Sequence, residues 1–267
     1  MLPDFDSQYI NAGKFKAAAD WAIDYPGFDT SIDILERSGT IWCSSAMVFD
    51  LFILLRNSTN KYILITHASD ELQDDLEITD QIFNLKPGCI KHWFGKNMSV
   101  EHPDVTNLPI GISNNVAALI SSLPAPENKN IEKIFCAFRI FDPSPPLQDR
   151  YDCRDALSNH PDVEFNDEYV EVSKYIANIK THLLIASPHG IRVDCYRFWE
   201  ALYCNSIPIV TKHKLQDIFT VPSIKIDSWS SIDINELRDE AEKIHVDTTQ
   251  LSMSYWLDKI EEVKGIL

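Results

Sequence analysis

Glycine is scarce in this chain, eight of 267 residues, and none of the eight stands in a G-x-G-x-x-G or a G-x-x-x-x-G-K-[ST] arrangement. Both motifs need glycine where the backbone approaches phosphate, so their absence argues against a nicotinamide dehydrogenase and a P-loop NTPase. No H-E-x-x-H occurs and His and Cys do not cluster, which leaves no strong metal site. Asp4-Phe5-Asp6 has the spacing of a metal-binding D-x-D, but it lies at the terminus and follows no strand. The six cysteines form no C-x-x-C pair, and most sit in apolar segments such as Ile134-Phe135-Cys136-Ala137-Phe138. That usage fits reduced, buried thiols in a cytosolic compartment better than a disulfide framework. No run of 18 apolar residues exists and no apolar run with a basic flank opens the chain, so neither a membrane anchor nor a secretory address is expected, and the protein reads as soluble and cytoplasmic. Basic residues are also in deficit, 24 Lys and Arg against 40 Asp and Glu, a net charge of −16. Such a field repels phosphate, which excludes a nucleic-acid partner.

Hydrophobic residues make up 45% of the chain, enough for an ordinary core. From about residue 40 onward, short β-branched runs alternate with amphipathic stretches, the pattern of an α/β fold with parallel sheets. The runs predict strands at 61–66, 89–94, 131–138, 163–165, 183–187, 207–210 and 223–226. Helices are predicted near 43–56, 72–84, 113–122, 149–159, 168–181, 194–205, 231–246 and 252–264. The polar stretch 123–130, with Pro124 and Pro126, separates two α/β halves. The expected domains are 1–125 and 126–240, with 241–267 as a C-terminal helical segment that packs back on the first; one larger sheet with a proline loop is the alternative.

The densest chemistry lies in the segment 183–202, read as strand, loop and helix. Gly190 before a helix start is expected to present backbone N–H groups to an anion, with Arg192 and Arg197 adding fixed charge: a candidate diphosphate site. On that helix Cys195, Phe198, Trp199 and Leu202 share one face, and Arg197 and Glu200 fall on another, about 60° apart. Glu200 is placed to accept ribose hydroxyls while Arg197 meets phosphate; an ordinary surface ion pair is the competing reading. Five of the eight arginines (Arg139, Arg150, Arg154, Arg192, Arg197) fall between 139 and 197. Arg139 follows the strand 131–138 and Arg154 lies in the next helix, whereas Arg150 reads as a solvated helix residue. Arginine's planar fork suits phosphate oxygens. Tyr169, after the strand 163–165, is placed to stack on a base, or else joins the core.

The run Ser187-Pro-x-Gly190-x-x-x-Asp194-x-x-Arg197-x-Trp199-Glu200-Ala201-Leu202, continued by Ile207-Pro208-Ile209-Val210, resembles the donor-site motif of exostosin-type glycosyltransferases. In the first half, the segment Tyr62 to His67 and on to Asp70, the run Trp93-Phe94-Gly95-Lys96-Asn97, and Asn107 to Gly111-Ile112 are similar to that family's strand ends. The chain departs at Asn205, where the family usually has glycine, although Asn also tolerates a left-handed turn. The resemblance implies a GT-B architecture of two Rossmann-like domains facing across a cleft, with the nucleotide sugar on the C-terminal one and C-terminal helices closing the fold. It also implies a short soluble form, similar to those encoded by large algal viruses, and xylose as the sugar.

Under that resemblance the expected reaction is inverting transfer from a UDP-sugar to a hydroxyl of a saccharide or glycoprotein glycan, without a metal or other cofactor. The donor-binding set is Arg139, Arg154, Tyr169, Ser187, His189, Gly190, Arg192, Asp194, Arg197 and Glu200, with the arginines and the helix start replacing a divalent cation at the leaving group. His67, Asn97 and Gly111 fall on the acceptor side. Asp70, soon after the strand 61–66, is the candidate base, though Ser69 or Asp70 also reads as a helix N-cap. His67 and His189 each have a plain structural reading as well. Alternatives of other kinds are nucleotide-sugar epimerisation or hydrolysis on the same fold, and a non-catalytic carbohydrate-binding module, against which the six scattered tryptophans argue.

Overall fold

The computed structural model describes residues 9–24, 33–67, 77–140, 147–166, 168–244, 247–265 and 267. The chain divides into two compact units: Ile10–Ile110 with Met253–Leu267, and Gly111–Ser252 with Tyr9. The C-terminal helix Met253–Lys264 thus groups with the first sheet, and the helix Asn114–Ser122 with the second. The division falls at 110/111, ahead of the proline-bearing stretch.

The first unit holds β1 (Trp21–Ile23), β2 (Gly39–Ser44), β3 (Tyr62–His67), β4 (Ile90–Gly95) and β5 (Val105–Asn107), all parallel and in sequential order. Every residue of β2 and β3 is buried, so these strands read as unbroken apolar runs rather than alternating ones. The sequence suggests a helix from residue 43 because the end of β2 runs directly into further apolar residues; the helix is shorter, Val48–Leu55, and a strand precedes it. β1 and β5, three residues each, are not among the predicted strands. Ile41, Cys43, Leu51, Leu55, Leu64 and Trp93 form one continuous core, each large apolar side chain contributing about 1.5–3 kcal/mol on burial.

The second unit holds β6 (Asn130–Ala137), β7 (Val163–Asn166), β8 (His182–Ala186), β9 (Ile207–Thr211) and β10 (Ile224–Ile226), again all parallel, in the order β10-β9-β8-β6-β7. All five coincide closely with runs legible in the sequence. Alternate residues of β6 and its neighbours, such as Ile134, Cys136, Leu184, Ala186 and Ile209, pack with Cys153 and Leu157 of the helix Gln148–Leu157 and Leu237 of the helix Ile234–Lys243. All six cysteines are unbridged and five are buried; the sulfurs of Cys136 and Cys153 lie 3.8 Å apart.

The helix Tyr196–Tyr203 ends at Asn205, in the left-handed region at φ 61°. The Ser206 N–H donates to the Ala201 carbonyl and the Asn205 N–H to the Leu202 carbonyl, both at 2.9 Å. This is the reciprocal hydrogen-bond pair that usually closes on glycine, here closed on asparagine, and it turns the chain directly into β9.

Candidate functional site

The second sheet changes direction between β6 and β8. The chain runs outward from β6 to β7, returns to β8 on the other side of β6, and continues to β9 and β10. The loops leaving the carboxyl ends of β6 and β8 therefore diverge, which is where open parallel sheets hold ligands.

Arg197 sits at this divide. Its Nε donates to the Ala137 carbonyl at 3.0 Å and its Nη1 to the Pro188 carbonyl at 3.4 Å, with the guanidinium 5.5 Å from the Phe138 ring centroid. Burial draws its pKa down, but the facing Tyr175, Cys195 and Glu200 outweigh this and hold the charge above the ordinary arginine range. Arg150 joins it, contrary to the solvated position expected from sequence. Its Nη1 donates to the Arg139 carbonyl at 2.8 Å, and a Cβ added to Gly190 would lie 2.8 Å from its Nη2. Burial and then the Arg197 charge lower the Arg150 pKa. Helix geometry explains the difference: Arg150 lies in the first turn of Gln148–Leu157, at the end of the helix that meets the strand ends.

The loop after β8 does not offer the anion cradle anticipated around Gly190. The Ser187 N–H donates to the Ile209 carbonyl at 2.9 Å, the His189 N–H to Asp149 Oδ2 at 2.7 Å, and the Gly190 N–H to the Arg192 carbonyl at 3.0 Å; Pro188 has none. Ser187 is fully buried, with its hydroxyl 3.8 Å from the Cys195 sulfur. Positive character at this edge comes instead from the guanidiniums and from the start of the helix Tyr196–Tyr203, where Cys195 makes no side-chain capping bond. Asp194, also buried, accepts from the Trp199 indole N–H at 2.6 Å, which fixes the approach to that helix.

Glu200 is buried rather than on a solvated face. Its Oε2 accepts from the Tyr175 hydroxyl at 2.9 Å. Burial raises its pKa, opposed by the Tyr175 hydrogen bond and the Arg197 charge. Tyr169 is 72% exposed, with the Arg139 guanidinium 5.2 Å from its ring centroid, so neighbouring strands β6 and β7 present an Arg–Tyr stack just beyond their ends. His189 is held low in pKa by burial, against Asp149 and with His213, and its Nε2 is buried with no hydrogen-bond partner among the described residues. Its ring meets His213 edge-on at 5.9 Å. Arg154 is not brought into this group: its Nε and Nη2 reach Asp155 at 3.0 and 2.8 Å, and its guanidinium lies over the Tyr151 ring.

In the first unit, His67 ends β3 and is fully buried, its Nε2 3.1 Å from the Pro109 carbonyl and its ring 5.2 Å from Phe15. Asn97, also buried, follows β4 at φ 50°. These two thus lie at and just beyond the carboxyl ends of adjacent strands, whereas Gly111, at φ 68°, opens the second unit. Asp70 and Asp4-Phe5-Asp6 lie outside the described residues. No group of three or more His, Cys, Asp or Glu among the described residues is arranged to hold a metal ion, and no helix among them is long and apolar enough to cross a membrane.

Asp149 and Tyr175 are site residues that the sequence does not single out, and Arg150 is one that it reads as solvated. An Asp-Arg pair in a first helical turn is ordinary, and only the adjacency of β6 and β8 sets it apart.

No known sequence family and no curated protein sequence matches the chain. Among solved structures it is similar to an α,α-trehalose 6-phosphate synthase from Burkholderia multivorans, with a TM-score of 0.51 at 10% identity over 85% of this chain and 72% of that one. It is similar too to an α,α-trehalose-phosphate synthase (UDP-forming) from Burkholderia vietnamiensis, with a TM-score of 0.50 at 9% identity and the same coverage, 85% and 72%. These likenesses place the chain in the α/β GT-B fold class.

Proposed function

We propose that this chain is a glycosyltransferase that moves a sugar from a UDP-sugar to a hydroxyl of a saccharide or glycan acceptor. The observation that carries the proposal is the meeting of Arg150 and Arg197 at the β6/β8 divide, in a fold class that also contains a UDP-forming synthase. Two permanent charges, fixed by backbone carbonyls, are preorganised for a leaving diphosphate and need no reorganisation as its charge develops. Arg139 and Tyr169 offer a stacking surface for the base beside them, and Glu200 is the candidate for the ribose hydroxyls.

In the proposed reaction the acceptor hydroxyl loses its proton to a carboxylate as its oxygen attacks the anomeric carbon. The bond from that carbon to the diphosphate oxygen breaks, and the electron pair leaves with UDP. Asp70 is the proposed base, with inversion at the anomeric carbon; a well-placed base contributes about 10² to 10⁴ in rate. The arginines would take the role a divalent cation plays at other leaving groups. The exostosin-type motif from Ser187 to Val210 supports a place in that family and xylose as the sugar.

Titration calorimetry in the presence of EDTA, with UDP, GDP and TDP and then UDP-xylose and UDP-glucose, tests this reading. UDP binding without added metal is expected. Preference for GDP overturns the donor assignment, and binding of oligosaccharide with no response to any nucleotide makes the chain a carbohydrate-binding module.

A further inference from the structure

One carboxylate in the second unit gathers a donor from the end of, or just beyond, each of three successive strands. Asp149 Oδ1 accepts from the Trp229 indole N–H at 2.7 Å and the Thr211 hydroxyl at 3.1 Å; Oδ2 accepts from the His189 backbone N–H at 2.7 Å and lies 3.8 Å from His189 Nδ1. His189 follows β8, Thr211 is the last residue of β9, and Trp229 follows β10. These partners are all tertiary, so they exceed what an acidic residue contributes to its own first turn. The neighbouring Arg150 supports the same loop, with its guanidinium against Gly190 and its Nη1 on the Arg139 carbonyl.

We infer that Asp149 is a positioning residue for the proposed donor site: it fixes the loop 187–192, on which Arg197 also rests through the Pro188 carbonyl, so that Arg197 and the start of the helix Tyr196–Tyr203 are held for the leaving diphosphate. The inference rests on the donor-site reading above. A carboxylate beside a diphosphate site would oppose binding through its charge. Here that charge is spent on three N–H and O–H donors, which strengthens each bond and makes the loop costly to displace. Because His189 and Gly190 have committed their N–H groups, the loop serves as a rigid spacer. A spacer misplaced by about 1 Å can cost on the order of 10² in function.

The two carboxylate oxygens separate this role from plain stability. Oδ1 ties β9 and the residue after β10 to the helix Gln148–Leu157, whereas Oδ2 is the carboxylate oxygen bound to the loop. Asp149→Ala removes both; Thr211→Val removes one Oδ1 bond and leaves the loop held; Asp149→Asn substitutes for the alanine variant if that does not fold. Amide hydrogen exchange on the full chain without ligand is expected to quicken tenfold or more across 187–192 in the Asp149 variant while β6 and β9 stay protected, and to stay unchanged there in Thr211→Val. Unchanged loop exchange in the Asp149 variant overturns the inference. UDP titration is expected to show at least a tenfold weaker Kd for the Asp149 variant and less than a threefold change for Thr211→Val. Equal losses in the two also overturn it. If the wild-type chain does not bind UDP, the donor-site reading fails, and the exchange comparison still decides what holds the loop.

Discussion

Arg197 Nε lies 3.0 Å from the carbonyl oxygen of Ala137, so a side chain from the helix after β8 secures the last residue of β6 across the point where the sheet reverses. The same guanidinium reaches the Pro188 carbonyl through Nη1. A planar fork makes both bonds from one rigid group, and a lysine ammonium, though equally charged, does not span them.

Arg197→Lys is therefore expected to keep the fold and weaken UDP binding at least tenfold, about 1.4 kcal/mol. Arg154→Ala, which removes a partly exposed pair with Asp155 and a contact with the Tyr151 ring, is expected to change affinity less than twofold. Calorimetry on both variants checks the pair; equal losses would remove Arg197 from its assigned place.

Glu200 titrates in a direction that can be read in stability. Burial raises its folded pKa above the unfolded value, so the fold retains the proton to higher pH than the open chain does. The group's contribution is full below the ordinary carboxylate value of about 4.3 and is lost as pH climbs through the raised one. Glu200→Gln stays neutral and can still accept from Tyr175. Urea midpoints between pH 4 and 7 are expected to move in favour of the variant as pH rises; a constant difference would mean that the folded carboxyl is not raised.

Asn205 stands in the left-handed region, exposed, and closes the helix Tyr196–Tyr203. Asn205→Gly removes the Cβ strain and is expected to gain a few tenths of a kcal/mol up to about 1 kcal/mol, while Asn205→Ala is expected to lose about 1 kcal/mol. Chemical denaturation of the two variants measures this, and identical midpoints would count against the left-handed turn.

Gly190→Ala would set a Cβ 2.8 Å from Arg150 Nη2. That guanidinium is also bound to the Arg139 carbonyl, so it cannot swing aside without giving up a bond. The expected cost is about 1–3 kcal/mol, with loss of UDP affinity, whereas Gly88→Ala meets nothing within 4 Å and serves as the control in a thermal-shift comparison.

The five strands of the second sheet were legible as β-branched runs, and the helix Tyr196–Tyr203 from its apolar face, because local pattern and burial agree there. β2 was hidden because its end, Trp42-Cys43-Ser44, runs straight into the apolar sequence of the helix Val48–Leu55, and β1 and β5 were not predicted. The densest motif, 183–202, pointed to β8 and the loop after it, but it assigned phosphate to N–H groups that the loop already uses, and it left Arg150 in solvent.

The amino-acid sequence alone determined the α/β class, the exclusion of glycine-rich nucleotide motifs, the concentration of five arginines between 139 and 197, and an asparagine able to take a glycine's place at position 205. Only the tertiary structure decided which charges meet. Strand order is set by long-range pairing and crossover handedness, not by neighbours in the chain, and placing β8 beside β6 brings Arg150, Arg197 and Asp149 to one loop, while Glu200 is buried against Tyr175.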